Sequence, residues 1–265
     1  MRRDASPPAT LFSSREDADA FASSLETRLI GKRLLHAEST GSTNNALRKL
    51  ADAGEAEGLV FSADYQATGR GREGRTWHSP PGSGLLFSYL VRPGLPSNAA
   101  AWLTAAAALG VASAVRSRCG VPATIDWPND IVGARGKLGG VLAEATSRSG
   151  KIEVAVVGVG LNVNVDLSTL PEPLARTASS LSHEAGRDID RRELLRSALV
   201  SIDERWTAVV EGRTASLARE MESLSANIGH PFKRPGFEPG TVEGIDDLGR
   251  LVLRTAGGRK VAVGF

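Results

Sequence analysis

The chain of 265 residues has little of several residue types, and each shortage excludes a class of protein. Its one cysteine, Cys119, cannot form an internal disulfide, so a disulfide-stabilised secreted domain is excluded and a reducing compartment is expected. Lys and Arg number 32 against 30 Asp and Glu, and a net charge of +2 is too small for a sequence-independent nucleic-acid binder. No nucleic-acid partner is therefore expected. No metal site made of protein side chains is expected either, because no ligand spacing links the four histidines: His36, His78, His183 and His230.

Long runs of large hydrophobic residues are also missing. The start, MRRDASPPATLFSSRED, has arginines at positions 2 and 3 but no apolar segment behind them, so it does not resemble a secretory signal. The least polar run, AAAWLTAAAALGVASAV at 99–115, is mostly alanine. Alanine contributes too little transfer free energy for a membrane span, and the run suits a buried core helix. We therefore expect a cytoplasmic protein with no membrane partner.

What the sequence does have is an alternation of strand-like and helix-like segments. With 41% hydrophobic residues, it can bury a sizeable core. Apolar runs bounded by turn residues predict strands, with Gly150 turning a hairpin between two of them, and a helix is predicted at 15–31. The fold class predicted is α+β. A mixed sheet with flanking helices is expected in residues 1–227, and a small all-β domain in residues 228–265.

The segment ATGRGREGRTWHS at 67–79 half-matches three nucleotide-binding motifs. Gly69, Gly71 and Gly74 fit the G-x-G-x-x-G of dinucleotide-binding folds, and the same stretch is one residue from a P-loop. Both motifs open a helix, whereas here TWHSPPGSG follows, and its prolines and glycines do not continue one. A kinase glycine-rich loop lies between strands, as this loop does, but no H-R-D or D-F-G follows downstream.

The residue types of this Gly/Arg loop nevertheless suit an anionic ligand. Its glycines allow the backbone to approach a ligand and leave N–H groups to form an anion-binding nest. Arg70, Arg72 and Arg75 add planar donors for phosphate or carboxylate. Trp77 offers a flat face for a purine or an apolar ligand.

Further segments accompany the loop along the chain: STGSTNNAL at 39–47, DWPNDI at 126–131, GKLGGVLAE at 136–144 and GVGLNVN at 158–164. Together with the loop they give the ordered motifs S-T-N, Q-x-x-GRGRxGRxW, WPND, KLxGxLxE and GxGxN. This set resembles that of the biotin protein ligases, also called biotin–[acetyl-CoA-carboxylase] ligases. The resemblance covers the chain from about residue 36 to its end.

The resemblance implies both a fold and a reaction. The fold is a catalytic domain like that of class II aminoacyl-tRNA synthetases, followed by an SH3-like β domain. The biotin carboxylate attacks the α-phosphate of ATP, with Mg²⁺ expected, and gives biotinyl-5′-AMP and pyrophosphate. The ε-amine of one lysine on a biotin carboxyl carrier protein, or on that domain of an acyl-CoA carboxylase, then takes the biotinyl group and releases AMP. A monomer and a homodimer are both left open.

Matching positions to the family motifs assigns the candidate site residues. The catalytic set is Arg70, Arg72, Lys137 and Asp126, which stands where the family usually has a lysine. The biotin-binding set is Ser42, Thr43, Asn44, Gln66, Arg70, Gly71, Arg72 and Asp126. The ATP- or adenylate-binding set is Arg72, Arg75, Trp77, Asn129, Lys137 and Asn162.

Asp126 departs from the family pattern K-W-P-N-D, whose lysine is expected to reach the biotin carboxylate and the transferred phosphate. At roughly 4 Å and an effective dielectric constant near 20, one charge contact is worth about 4 kcal/mol, so repulsion there would slow the reaction on the order of a thousandfold. Three explanations stay open: a disabled chain, compensation by Lys137 or an arginine, or an Asp126 that faces away. On this charge argument, Asp126→Lys should raise the rate of adenylate formation.

Other function classes also stay open. A lipoate or octanoyl transferase shares the scaffold, although the resemblance gives it a different Arg/Gly loop, and a binding protein would capture biotin or its adenylate without making it. About 38 residues precede the segment STGSTNNAL, fewer than the roughly sixty of an N-terminal winged helix-turn-helix, so a repressor role is not expected. The end, RKVAVGF, stops where one more short strand would be expected.

Overall fold

The computed structural model describes residues 10–264. The first nine residues, with the two arginines of the start, and Phe265 lie outside this range. The helices within it are α1 (Arg15–Ser23), α2 (Thr43–Asp52), α3 (Ala101–Cys119), α4 (Glu172–Ala175), α5 (Leu181–Ala185), α6 (Arg191–Val210) and α7 (Thr214–Leu224).

A seven-stranded mixed sheet forms the centre of the protein, with strand order β1-β2-β3-β7-β6-β5-β4. Only β1 and β2 are parallel among these neighbours. The predicted hairpin is confirmed, since Ser149 and Gly150 both have positive φ, as a two-residue turn between β6 and β7 requires. The strands are β1 (Arg33–Thr40), β2 (Leu59–Gln66), β3 (Gly84–Val91), β4 (Thr124–Asp126), β5 (Asp130–Val132), β6 (Lys137–Arg148) and β7 (Lys151–Asn162).

One face of this sheet carries the main hydrophobic core. Helices α3 and α6 pack together over it, and α3 is buried on nearly every side. Within the described residues, one helical segment, Ser97–Cys119, is long and apolar enough by composition to cross a membrane, but 78% of its most apolar window is buried inside the protein. The alanine-rich run is thus the core helix that its composition predicts.

Helix α2 covers part of the other face of the sheet. Leu47 and Ala51 of α2 pack there against Leu59, Leu90 and Val156 of the sheet. Beyond this small cluster the face stays open, and the candidate site described below occupies that opening.

A second, antiparallel sheet follows α7 and confirms the predicted α+β class. It is fixed to the first part of the chain by hydrogen bonds: Trp102 Nε1 donates to the carbonyl of Asp247 at 2.9 Å, and Glu222 accepts from the Ile245 N–H at 2.9 Å. The domain boundary after residue 227 remains a prediction. The strands are β8 (Pro231–Phe232), β9 (Gly240–Ile245), β10 (Leu251–Thr255) and β11 (Lys260–Val263).

Helix α1 is shorter than the predicted helix at 15–31. Its start follows local rules, since Ser14 accepts a hydrogen bond from the Asp17 N–H, but it ends at Ser23. Farther on, the buried carboxylate of Asp203 on α6 accepts from three successive backbone N–H groups, those of residues 28–30, at 2.6–2.9 Å. These donors serve a distant partner instead of extending the helix, which sequence periodicity could not indicate.

The segment before α1 is held by a buried carboxylate on β2. Asp64 accepts hydrogen bonds from the Thr10 hydroxyl at 2.7 Å and the Leu11 N–H at 3.1 Å. His36 Nε2 and Arg191 Nη1 lie at 3.1 and 3.0 Å from its oxygens. Burial raises the pKa of Asp64, but these hydrogen bonds and the Arg191 charge outweigh it and hold the pKa below its ordinary value.

Replacing Asp64 with alanine should lower the free energy of unfolding by about 3 to 5 kcal/mol, because the buried Arg191 charge loses its carboxylate partner. Since the folded-state pKa is lowered, the contribution of Asp64 is complete above the unfolded value of about 3.9 and is lost as the pH falls through the folded-state value. Urea unfolding of wild type and variant at several pH values measures this difference, which should shrink on acidification. Asp19→Ala, which breaks an exposed ion pair with Arg15, is the control. Equal effects of the two variants at neutral pH would contradict the assignment.

Candidate active site

The open part of the sheet face forms a cavity of about 690 Å³. Its floor is made by strands β3, β7 and β6, whose register sets residues side by side in rows across the sheet. The two rows beneath the cavity are Ser88–Gly158–Leu142 and Leu86–Gly160–Gly140.

Two glycines of β7 leave the space that the cavity needs. A Cβ on Gly158 would lie 2.1 Å from Asn44 Oδ1, and a Cβ on Gly160 would lie 2.8 Å from Cε2 of Trp77. Both distances are far below van der Waals contact, so neither position has room for a side chain. Asn44 therefore lies directly on the backbone of the first row, at Gly158, and Trp77 lies on that of the second row, at Gly160.

The end of the cavity nearest α2 is a closed network of uncharged polar groups. Gln66 Oε1 accepts from the Thr43 N–H at 2.7 Å and from its hydroxyl at 3.0 Å. Ser88, fully buried on β3, donates to Asn44 Oδ1 at 2.6 Å and lies 2.8 Å from Thr43 Oγ1. Ser42 caps α2 without a side-chain capping bond. The network holds hydroxyl and amide groups at fixed positions on this wall, as recognition of a small polar ring requires.

The Gly/Arg loop forms a second wall, and its first arginine is already paired. Arg70 Nη2 donates to Asn45 Oδ1 at 2.6 Å and to Glu144 Oε2 at 2.7 Å. The same Glu144 oxygen accepts from Asn44 Nδ2 at 2.8 Å, so Glu144 links the loop to the polar end. Arg70 and Glu144 keep 42% and 32% of their side-chain surfaces exposed, which leaves this link open to competition from a ligand.

The opposite end of the cavity carries two further cations. Arg72 Nη1 donates to Asn129 Oδ1 at 3.0 Å, and Lys137 Nζ lies 2.6 Å from Asp130 Oδ2. Burial lowers the pKa of the Arg72 guanidinium, partly offset by the carboxylate of Glu73. Arginine stays charged under all ordinary conditions, so this end presents two positive charges to an incoming anion.

Trp77 lies over the second row of the cavity floor. Its ring lies on Gly160, and its Nε1 is buried without a hydrogen-bond partner in the described part of the chain. Asn162, 95% buried beyond Gly160, donates to the carbonyl of Ser179 at 3.1 Å, which joins β7 to the segment before α5. The cavity therefore combines a polar end, a cationic end and a flat aromatic face, which suits a ligand with chemically different parts.

Asp126 does not lie in this cavity, and the expectation that it faces the reacting centre has to be corrected. Its side chain is exposed and accepts a hydrogen bond from Asn227 Nδ2 at 2.8 Å. The strand alternation explains this direction, because Ile125 and Trp127 on either side are both buried. In the segment from Asp126 to Glu144, the cation that lines the cavity is Lys137.

Every other residue assigned from the sequence lines the cavity. They are Ser42, Thr43, Asn44, Gln66, Arg70, Gly71, Arg72, Arg75, Trp77, Asn129, Lys137 and Asn162. Three residues that organise the site were not assigned: Ser88, Asp130 and Glu144. Asp130 and Glu144 stand inside the WPND and KLxGxLxE motifs, which was an available signal, whereas Ser88 lies in an apolar strand with none. In residues 10–264, no group of three His, Cys, Asp or Glu side chains could hold a metal ion.

The fold and this cavity place the chain among enzymes of known structure. The biotin protein ligase from Aquifex aeolicus, in complex with biotin and ATP, matches with a TM-score of 0.75 and 29% sequence identity. The match covers 88% of this chain and 97% of that chain. The class of protein is therefore that of the biotin protein ligases.

Sequence relatives define the family. The chain is 34% identical to the biotin–[acetyl-CoA-carboxylase] ligase of Mycobacterium tuberculosis, over 91% of each chain. It is 32% identical to the bifunctional ligase/repressor BirA of Bacillus subtilis, over 89% of this chain and 74% of that protein. Residues 36–162 match the Biotin/lipoate A/B protein ligase family. The chain belongs to this family, and within it to the biotin ligases.

Replacing Glu144 with alanine should free the Gly/Arg loop. A partly exposed ion pair is worth up to about 1 kcal/mol, so trypsin should cut the ligand-free loop roughly two- to fivefold faster. Mass spectrometry of the fragments ending at Arg70, Arg72 and Arg75 measures the rate. Glu153→Ala, which breaks an exposed ion pair with Arg148 at the far end of the same hairpin, should leave it unchanged. Equal cleavage of wild type and Glu144→Ala would show that Glu144 does not hold the loop.

Proposed function

We propose that the chain activates biotin with ATP to form biotinyl-5′-AMP and then transfers the biotinyl group to a lysine of a biotin carboxyl carrier protein. One observation carries the proposal: a single cavity joins an uncharged hydrogen-bonding end to an end with two cations and is also lined by an aromatic ring. Biotin has a ureido ring and a carboxylate, and ATP has phosphates and a purine. The uncharged end suits the ureido ring, the cations suit the carboxylate and the phosphates, and the aromatic ring suits the purine.

The uncharged end supports biotin over a straight-chain acid. Thr43, Asn44 and Gln66 supply hydroxyl and amide groups for a ureido ring, and a lipoyl or octanoyl chain offers nothing to bind them. An alkyl chain would exclude water from the remaining donor and acceptor positions of these groups without replacing its hydrogen bonds, which would be unfavourable. This is why the lipoate-type alternative is not favoured.

The cationic end supports acyl-adenylate chemistry. A carboxylate approaches a triphosphate only where fixed positive charges offset the repulsion. Arg72 and Lys137 lie on the cavity wall, where their charges would offset this repulsion. Arg70 would turn from Glu144 toward the ligand. A loop that closes over the adenylate would also exclude water from the activated acyl group.

Mg²⁺ would be held mainly by the phosphates of ATP and by water, as is usual for this ion. The chain offers one suitable atom, because Asp130 Oδ1 is buried beside Lys137 without a partner in the described residues. When bound, the ion would neutralise charge on the phosphates. We propose the cytoplasm as the compartment, and the biotin carrier domain of an acyl-CoA carboxylase as the protein substrate.

The test is a transfer assay with biotin, MgATP and a purified biotin carrier domain, read by the mass increase of the carrier and by pyrophosphate release. Biotin should support both signals, and lipoate or octanoate should support neither. The carrier with its target lysine changed to arginine is the control. Biotin binding without pyrophosphate release would contradict the proposal and favour a binding protein.

Alanine at each floor glycine should separate the two ligands. Gly158→Ala displaces Asn44 and should weaken biotin binding, whereas Gly160→Ala displaces Trp77 and should mainly weaken ATP binding. Each loss should be roughly tenfold, corresponding to about 1.4 kcal/mol for one lost contact. Titration calorimetry with biotin and with a non-hydrolysable ATP analogue measures both. If both variants weaken the same ligand, the assignment of the two ends is wrong.

A further inference from the structure

We propose that Asp126 and Asn227 form a clasp that positions Arg72 and Lys137 for reaction with ATP. Neither clasp residue lines the cavity, so both would be positioning residues and not catalytic ones. The inference rests on the proposed function, because it assigns these two cations to the nucleotide. It also gives a role to the aspartate that departs from the family pattern.

The clasp closes where the chain leaves α7 and crosses the edge of the main sheet. Ser225 pairs with Ile125 in a parallel bridge, and the Ala226 N–H donates to the Ile125 carbonyl at 2.8 Å. The side chain of Asn227 then makes two hydrogen bonds to the end of β4. Its Oδ1 accepts from the Trp127 N–H at 2.6 Å, and its Nδ2 donates to Asp126 Oδ1 at 2.8 Å.

These two contacts allow one orientation of the Asn227 amide. A carboxylate only accepts hydrogen bonds and a backbone N–H only donates, so Nδ2 must face Asp126 and Oδ1 must face Trp127. A lysine at position 126 would need the amide oxygen turned toward it. The Trp127 N–H would then face the amide NH₂, donor against donor. Asp126 and Asn227 are therefore a matched pair.

The clasp fixes the start of the tight β4–β5 hairpin. Residues at the far end of the turn bind the two cations. Asp126 is the register partner of Asp130 across the β4–β5 turn, with only residues 127–129 between them. Asn129 accepts from Arg72 at 3.0 Å, and Asp130 pairs with Lys137 at 2.6 Å. A shift of Asp126 is therefore transmitted within four residues to both cations.

The same hairpin also carries the second sheet. Trp127 Nε1 donates to the Gly249 carbonyl at 3.3 Å, and its ring lies 6.0 Å from that of Phe232 in an edge-to-face contact. Asn227 therefore fixes the hairpin at Asp126 and Trp127, and Trp127 in turn contacts the second sheet.

Enzyme kinetics on clasp variants test the proposal. Asp126→Ala and Asn227→Ala should each raise the KM for ATP and lower kcat, by roughly three- to tenfold in kcat/KM, since one partly exposed charge-assisted hydrogen bond is lost. The dissociation constant for biotin should not change. Asn227→Asp should do at least the same harm, because two carboxylates then face each other. Asp19→Ala is the control for loss of an exposed carboxylate.

A double variant supplies the decisive comparison. Asp126→Asn combined with Asn227→Asp exchanges donor and acceptor but keeps both hydrogen bonds and the net charge. It should restore most of the activity that Asn227→Asp loses. Asp126→Lys should lower the rate of adenylate formation, opposite to what the charge of a cavity residue would give.

A readout without turnover keeps this test separate from that of the proposed function. Hydrogen–deuterium exchange of the peptide spanning residues 125–130 should be faster in Asn227→Ala than in wild type, whether or not the enzyme acts on biotin. Unchanged exchange, no recovery in the double variant, or a faster Asp126→Lys enzyme would each overturn the clasp. An inactive wild-type protein with the expected exchange would instead count against the proposed function alone.

Discussion

The site depends on the absence of side chains at two neighbouring positions of β7. At Gly158 and Gly160 the space that a Cβ would fill is taken by Asn44 and Trp77, so a helix residue and a loop residue rest directly on the central strand. That contact brings α2 and the Gly/Arg loop to opposite parts of one floor. The same contact fixes the positions of Asn44 at the polar end and of the aromatic ring of Trp77. Larger residues would fill the cavity from below and push both walls apart.

The cations of the site are paired before any substrate binds. Arg70 is held by Glu144, Arg72 by Asn129 and Lys137 by Asp130. Such pairing orients long side chains that would otherwise lose much rotamer entropy when a ligand arrives. It also means that phosphate and carboxylate groups must compete with protein acceptors. Neutral Asn129 competes less strongly with an incoming anion than the carboxylates of Glu144 and Asp130 do.

Much of the site could be predicted from the sequence, because its residues lie within short motifs at strand ends and helix starts. The motifs could not give the partners that arrive from far along the chain. Asn227 contacts Asp126 across 101 positions of the chain. Asp203 binds the backbone N–H groups that follow α1 across more than 170 positions, so the helix does not continue there. Ser88 could not be assigned because it lies in an apolar strand outside every motif. The sequence left the direction of Asp126 open, because that direction depends on strand alternation and on Asn227 and not on the motif.

The central claim is that one cavity holds biotin against α2 and the nucleotide against Trp77 and the two cations. A crystal structure of the protein with a non-hydrolysable biotinyl-adenylate analogue tests it most directly. The account predicts the ureido ring within hydrogen-bond distance of Thr43 and Gln66, the adenine against Trp77, and the linking phosphate beside Arg72 and Lys137. Density for the analogue in the reverse direction, or outside this cavity, would contradict it.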